Sequence, residues 1–232
     1  MSLNAKKVKP VSNKPKQPNI ESGTYPARLV QLIDLGVQAQ QPYQGKEKPP
    51  VHMIYTTYEF CDEFMVDENG DPQEDKPRWL SEKLAFYSLD QDRANSTQRY
   101  KALDPSLASD GEWPELVGAP VMLTVGTKVT KTGPNAGREY NVILSSGPCS
   151  SKQAAKLPPL VNEPKVFLLD EPDMEVFLSL PEWRQNEIKG NLHYQGSPLQ
   201  KALEGGSKAS GKQAKKEVEE DNSEEDSSDN VW

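Results

Sequence analysis

Histidine and cysteine are nearly absent. The 232 residues hold two of each: His52 and His193, Cys61 and Cys149. Such sparse ligands have no zinc-site spacing, and two cysteines do not make a disulfide framework. Apolar residues are also scarce, at 34% of the chain with a mean hydropathy of −0.77. Part of the chain is therefore expected to bury too little surface to fold. No run approaches the ~20 apolar residues of a membrane span, and the opening MSLNAKKVKPVSNKPKQPN has no apolar leader segment. No G-x-S-x-G, Walker or G-x-G-x-x-G pattern occurs. Acid pairs such as Asp62 with Glu63 and Asp90 with Asp92 read as solvated loop charges rather than a magnesium site. Together these absences predict a protein that is not an enzyme, needs neither cofactor nor metal, and works in a reducing cytoplasm.

What is present is charge, unevenly placed. The net charge is −8. Residues 217–232, EVEEDNSEEDSSDNVW, carry eight acids and no base. Residues 1–16 carry five lysines and no acid, and residues 201–216 carry five lysines and one glutamate. Residues 17–200 keep 17 bases against 26 acids, so the region expected to fold is itself acidic. The tail should stay extended by self-repulsion. Its last residue is Trp232, which a solubility tail does not need. An aromatic anchor beside a free carboxylate suits capture by a partner pocket, with Glu224, Glu225, Asp226, Asp229, Val231 and Trp232 as the recruiting segment.

Five segments read as strands. SGTYPARLVQLIDLGVQ opens the series. VHMIYTTYEFCDE follows, with Val51, Met53, Tyr55 and Thr57 on one face and His52, Ile54, Thr56, Tyr58 and Phe60 on the other. A hairpin turn at Asn69-Gly70 leads to the third, around RWLSEKLAFYS. DQDRANSTQRYKAL reads as a helix ending at Asp104-Pro105. APVMLTVGTKVT and REYNVILSSG make the last two strands, joined by KTGPNAG. Five strands with a helix before the fourth are the parts of an OB-fold barrel. VFLLDEPDMEVFLSLPEWRQNEIKGNLH reads as helical, with a capping box from Ser179 and Glu182. Its apolar face would hold Leu180, Trp183, Ile188 and Leu192. The expected organisation is a disordered basic arm (1–20), the five-stranded OB-fold domain (21–150), a helical appendage docked on the barrel (151–195), a flexible basic linker (196–216) and the acidic tail (217–232). The fold class is thus mainly β with a helical appendage.

The arm, GTYPARLVQLIDLG, GKEKPPVHMIYTTYEF, LPEWRQNEIK and the aromatic-ended tail together resemble the OB-fold group of single-stranded DNA-binding proteins of tailed bacteriophages. The resemblance covers roughly residues 20–195, and the tail by type. It implies an OB fold, sequence-tolerant binding of single-stranded DNA with duplex DNA as a further ligand, and no catalysis. It also implies work in replication and recombination in the cytoplasm of an infected host. The tail would recruit a polymerase, helicase or nuclease. On the residues themselves, Lys46, Lys48, Lys128, Lys131 and Arg138 fall in or beside the first and last barrel loops and would hold phosphates. A local basic groove works on an acidic domain because screening limits distant charges to about 10 Å. Tyr43, Tyr55, Tyr58, Trp79 and Tyr140 are the candidate stacking rings, each base adding ~1–3 kcal/mol. Two other readings remain: an acidic-tailed scaffold or chaperone for basic proteins, and a small magnesium nuclease.

Overall fold

Side chains alternate across a pleated strand, so each face of a sheet needs its own cover. Here both faces of the central strands have one. The computed structural model describes residues 17–42, 45–133 and 135–205. Strands β1 (Gly23–Gln38), β2 (Val51–Val66), β3 (Pro72–Ala85), β4 (Pro120–Val129) and β5 (Glu139–Pro148) form an antiparallel sheet in the order β3-β2-β1-β4-β5. A short sixth strand, β6 (Lys165–Phe167), runs parallel to β1 at Gln31–Ile33. The helices are few and short: α1 (Asn95–Leu103), α2 (Ser151–Ala154), α3 (Met174–Ser179), α4 (Glu182–Lys189) and a helical stretch over 198–205. The protein is mainly β. The turn between β2 and β3 forms at Asn69-Gly70: Gly70 takes a φ of +90°, and the Asp67 carboxylate accepts the N–H groups of Asn69 and Asp71.

The sheet has six strands where five were expected. β4 pairs with β1 only through Arg28, and β1 shifts register between Leu29 and Gln31. The edge of β1 beyond that point is open, and residues 165–167 pair with it, although Val166 and Phe167 were expected to be helical. Nor does the sheet close into the expected barrel: no ladder joins β3 to β5. A side chain spans the gap. Arg99 of α1 is 2% exposed and donates through Nε and Nη2 to Glu82 of β3, at 2.6 and 3.1 Å, and through Nη1 to Ser146 of β5 at 3.2 Å.

The inner face is apolar. Ala27, Leu29 and Leu32 of β1 meet Tyr58 and Phe60 of β2, the β4 row from Val121 to Val125, and Tyr100 and Leu103 of α1. Complete burial of each large side chain stabilises the fold by about 1.5–3 kcal/mol. A second cluster covers the outer face, where Ile33 and Leu35 of β1 meet Phe167, Phe177, Leu180, Ile188 and Leu199. Gly36, at φ +70°, permits this approach: a Cβ there would stand 2.7 Å from Leu169 and 2.8 Å from Asn191.

Several expected boundaries move. Gln17 exchanges two hydrogen bonds with the backbone of Val66, and Ile20 is 3% exposed in the inner core, so residues 17–20 belong to the fold rather than to the arm. Leu199 is buried, which carries the outer cap past residue 195. The capping box at Ser179 does not form. Pro181 is the N-cap of α4, and the Ser179 hydroxyl donates to the Val176 carbonyl instead.

Candidate nucleic-acid interface

Strand register builds the outer face row by row. On β2 it carries Tyr55, Thr57 and Glu59; their partners on β3 are Lys83, Ser81 and Trp79. Side-chain contacts confirm the shared face: Thr57 and Ser81 hydroxyls lie 2.9 Å apart, and Trp79 Nε1 donates to Glu59 at 3.1 Å. Over β1 and β2 this face is covered by the chain's own later residues. Arg28 donates to the carbonyls of Pro158 and Leu157. Glu59, 3% exposed, accepts from the backbone of Val161 and Asn162 and from the Asn162 side chain. Further along, Arg184 of α4 lies over Tyr55, with its guanidinium carbon 3.5 Å from the ring centroid. The β3 row stays open, with Trp79 45% exposed and Lys83 exposed.

The expected phosphate contacts divide into two groups. Lys128 stands opposite Tyr140 in the β4–β5 register, and Lys131 and Arg138 follow in the connection; all four residues are exposed. Among the described residues no carboxylate pairs with Lys128, Lys131 or Arg138. Lys46 and Lys48 are exposed in the β1–β2 connection. β4 runs antiparallel to β1 and passes its Gly23 end, whereas the β1–β2 connection leaves from Gln38. The two loops therefore sit at opposite ends of β1. They can flank a long ligand but cannot share one phosphate.

The expected stacking rings are sorted by the same geometry. Tyr140 is 44% exposed and Trp79 is open on β3. Tyr55 is half-buried beneath Arg184. Tyr58 is fully buried on the inner face, where burial pushes its phenol pKa well above the usual value, so it cannot meet a base. The alternation of β2 sends Tyr55 outward and Tyr58 inward. Tyr43 and the tail residues Glu224 to Trp232 lie outside the described residues.

Trp183 and Lys83 were missed. The helical face expected for α4 put Trp183 inside, yet it is 60% exposed while Arg184 is 4% exposed. Counting back from buried Ile188 in a step of four gives Arg184; Trp183 lies five residues back, about 140° around the helix. Leu192 is 54% exposed because the helix ends before it, at Gly190.

Among the described residues no three His, Cys, Asp or Glu side chains could hold a metal ion. Burial pushes the Cys61 thiol up to about 11, away from nucleophilic use. A cleft of about 200 Å³ brings both histidines, His52 and His193, beside Asp34 and Asp170. His52 Nε2 donates to Asp34 at 2.6 Å, which raises the imidazole pKa against the opposing effect of burial. Carboxylates there disfavour a phosphate.

Family models, curated proteins and solved structures give no match to this chain. Among the described residues no helix is long and apolar enough to cross a membrane.

Proposed function

We propose that this protein binds single-stranded DNA without strong sequence preference, on an OB-type sheet whose β3–β5 gap is bridged by Arg99. The observation that carries the reading is the end of the β4–β5 hairpin, where exposed Tyr140 stands beside Lys128, with Lys131 and Arg138 next in line and none of these cations tied to a described carboxylate. Rings stack on bases whatever their identity, and free cations release counterions when they meet phosphates. Trp79 on β3 adds a second exposed ring, and Lys83 on the same face is paired with Glu187. In this reading the acidic tail recruits replication proteins in the cytoplasm of a phage-infected host, as the resemblance implies.

The test is fluorescent oligo-dT binding at a series of salt concentrations. The log–log slope should be near −0.7 for each phosphate contacted. Replacing Lys128, Lys131 and Arg138 together with Ala should flatten that slope by about two units if all three meet phosphates. Absence of binding at low salt, or a salt-independent affinity, refutes the proposal.

A further inference from the structure

Three side chains stack outward from the sheet where α4 crosses it. Tyr55 of β2 is the base. The Arg184 guanidinium lies above it, 3.5 Å from the ring centroid, and the Trp183 ring lies 4.3 Å from the same guanidinium. Arg184 is 4% exposed and also pairs with Glu187, so its plane is fixed from two sides. Trp183 is not needed to fill the cap, because Phe177, Leu180, Ile188 and Leu199 already pack against Ile33 and Leu35. Its indole instead ends the stack, 60% exposed.

The neighbours of this stack suit a nucleobase better than an apolar peptide. Lys83 is the β3 partner of Tyr55, and its ammonium is 2.8 Å from Glu187, which Arg184 also contacts. Glu187 is thus neutralised twice over. Ser81 and then Trp79 continue along the same face of β3, with Trp79 held by its bond to Glu59. Lys83 and Trp79, four residues apart on β3, are about 13 Å apart, and the Trp183 stack rises from Tyr55, the cross-strand partner of Lys83. The side chains between the stack and Trp79, Lys83 and Ser81, are polar; an apolar pocket lined by Phe60, Phe64, Pro77, Pro158, Pro159 and Val161 lies beyond them, beside Glu59. A flat ring on a rigid, cation-backed indole gains stacking energy at little entropic cost.

We propose that Trp183 is a base-stacking platform for single-stranded DNA, adding the base as a fourth layer on Tyr55, Arg184 and Trp183, with the strand continuing along β3 past Lys83 to Trp79. This rests on the DNA-binding reading above and adds a ligand position to it. The experiment uses the full chain and fluorescein-labelled oligo-dT, read by anisotropy, for wild type, Trp183→Ala and Trp183→Phe. Trp183→Ala should weaken binding about fivefold or more, and Trp183→Phe should retain most of the affinity. A 5-iodouracil oligomer irradiated on the wild-type protein should crosslink at residue 183, which keeps the test decisive if the Ala variant is destabilised. Unchanged affinity in a folded Trp183→Ala protein, or crosslinks that miss residue 183, overturns the platform. Wild-type protein that binds no oligomer at all removes single-stranded DNA binding itself.

Discussion

The two faces of this sheet are covered by different chemistry. The inner face is held by apolar contact, from Leu29 and Phe60 through Leu123 to Tyr100, with Arg99 of α1 buried between Glu82 of β3 and Ser146 of β5. The outer face is apolar where Ile33 and Leu35 meet Phe167, Phe177, Leu180, Ile188 and Leu199. Elsewhere it is fastened by long polar side chains: Arg28 to the carbonyls of Pro158 and Leu157, and Glu59 to Val161 and Asn162. Apolar burial is non-directional and accumulates over the whole face. Polar fastenings act singly, and each can open without the rest. The fold therefore lives on the inner face, and the outer face decides which part of the sheet a ligand can reach. The cap takes β1 and β2 and leaves β3.

The sharpest way to break the contrast is Arg99→Ala. It strands Glu82 and removes the hydrogen-bonded link that Arg99 makes between β3 and β5, and should cost about 3–5 kcal/mol of global stability, read by denaturant unfolding. A loss below about 1 kcal/mol would show that the gap needs no bridge. Glu59→Ala should act on the outer face alone. It leaves the donors of Val161, Asn162 and Trp79 without an acceptor, at about 1–3 kcal/mol. Hydrogen exchange should then quicken over residues 157–162 while the inner strands stay protected. Equal exchange at both places would erase the distinction between the faces.

The smallest effect concerns His52 and Asp34. The folded pKa of His52 is raised above its ordinary 6.5, chiefly by the bond to Asp34. Its contribution is therefore fully present below pH ~6.5 and is lost as pH rises through the folded value. A pH series of unfolding midpoints should show this fall, and Asp34→Asn should flatten it. A midpoint that rises over the same window contradicts the pairing.

Much of the inner face was legible in the sequence. Alternation in β2, the Asn69-Gly70 turn, the helix ending at Asp104 and the two strands around KTGPNAG all reflect local preferences that the tertiary structure kept. The outer face was not legible, because its partners are remote. Val166 and Phe167 read as the start of a helix until β4 leaves β1 at Arg28 and exposes an edge to pair with. Trp183 reads as core because indole is apolar. Arg184 takes the inward place because Tyr55 and Glu187 offer the guanidinium a ring and a carboxylate together.

By itself the sequence determined the strand content, the alternating faces and the separation of charge into basic arm, acidic body and acidic tail. These follow from side-chain periodicity and composition, which need no distant partner. Only the tertiary structure decided that Tyr58 points inward, that the sheet stays open between β3 and β5, and that the chain covers its own outer face over β1 and β2 while β3 stays open. Each of these depends on residues a hundred or so positions apart meeting, as Glu59 meets Asn162, and no local pattern records such a meeting.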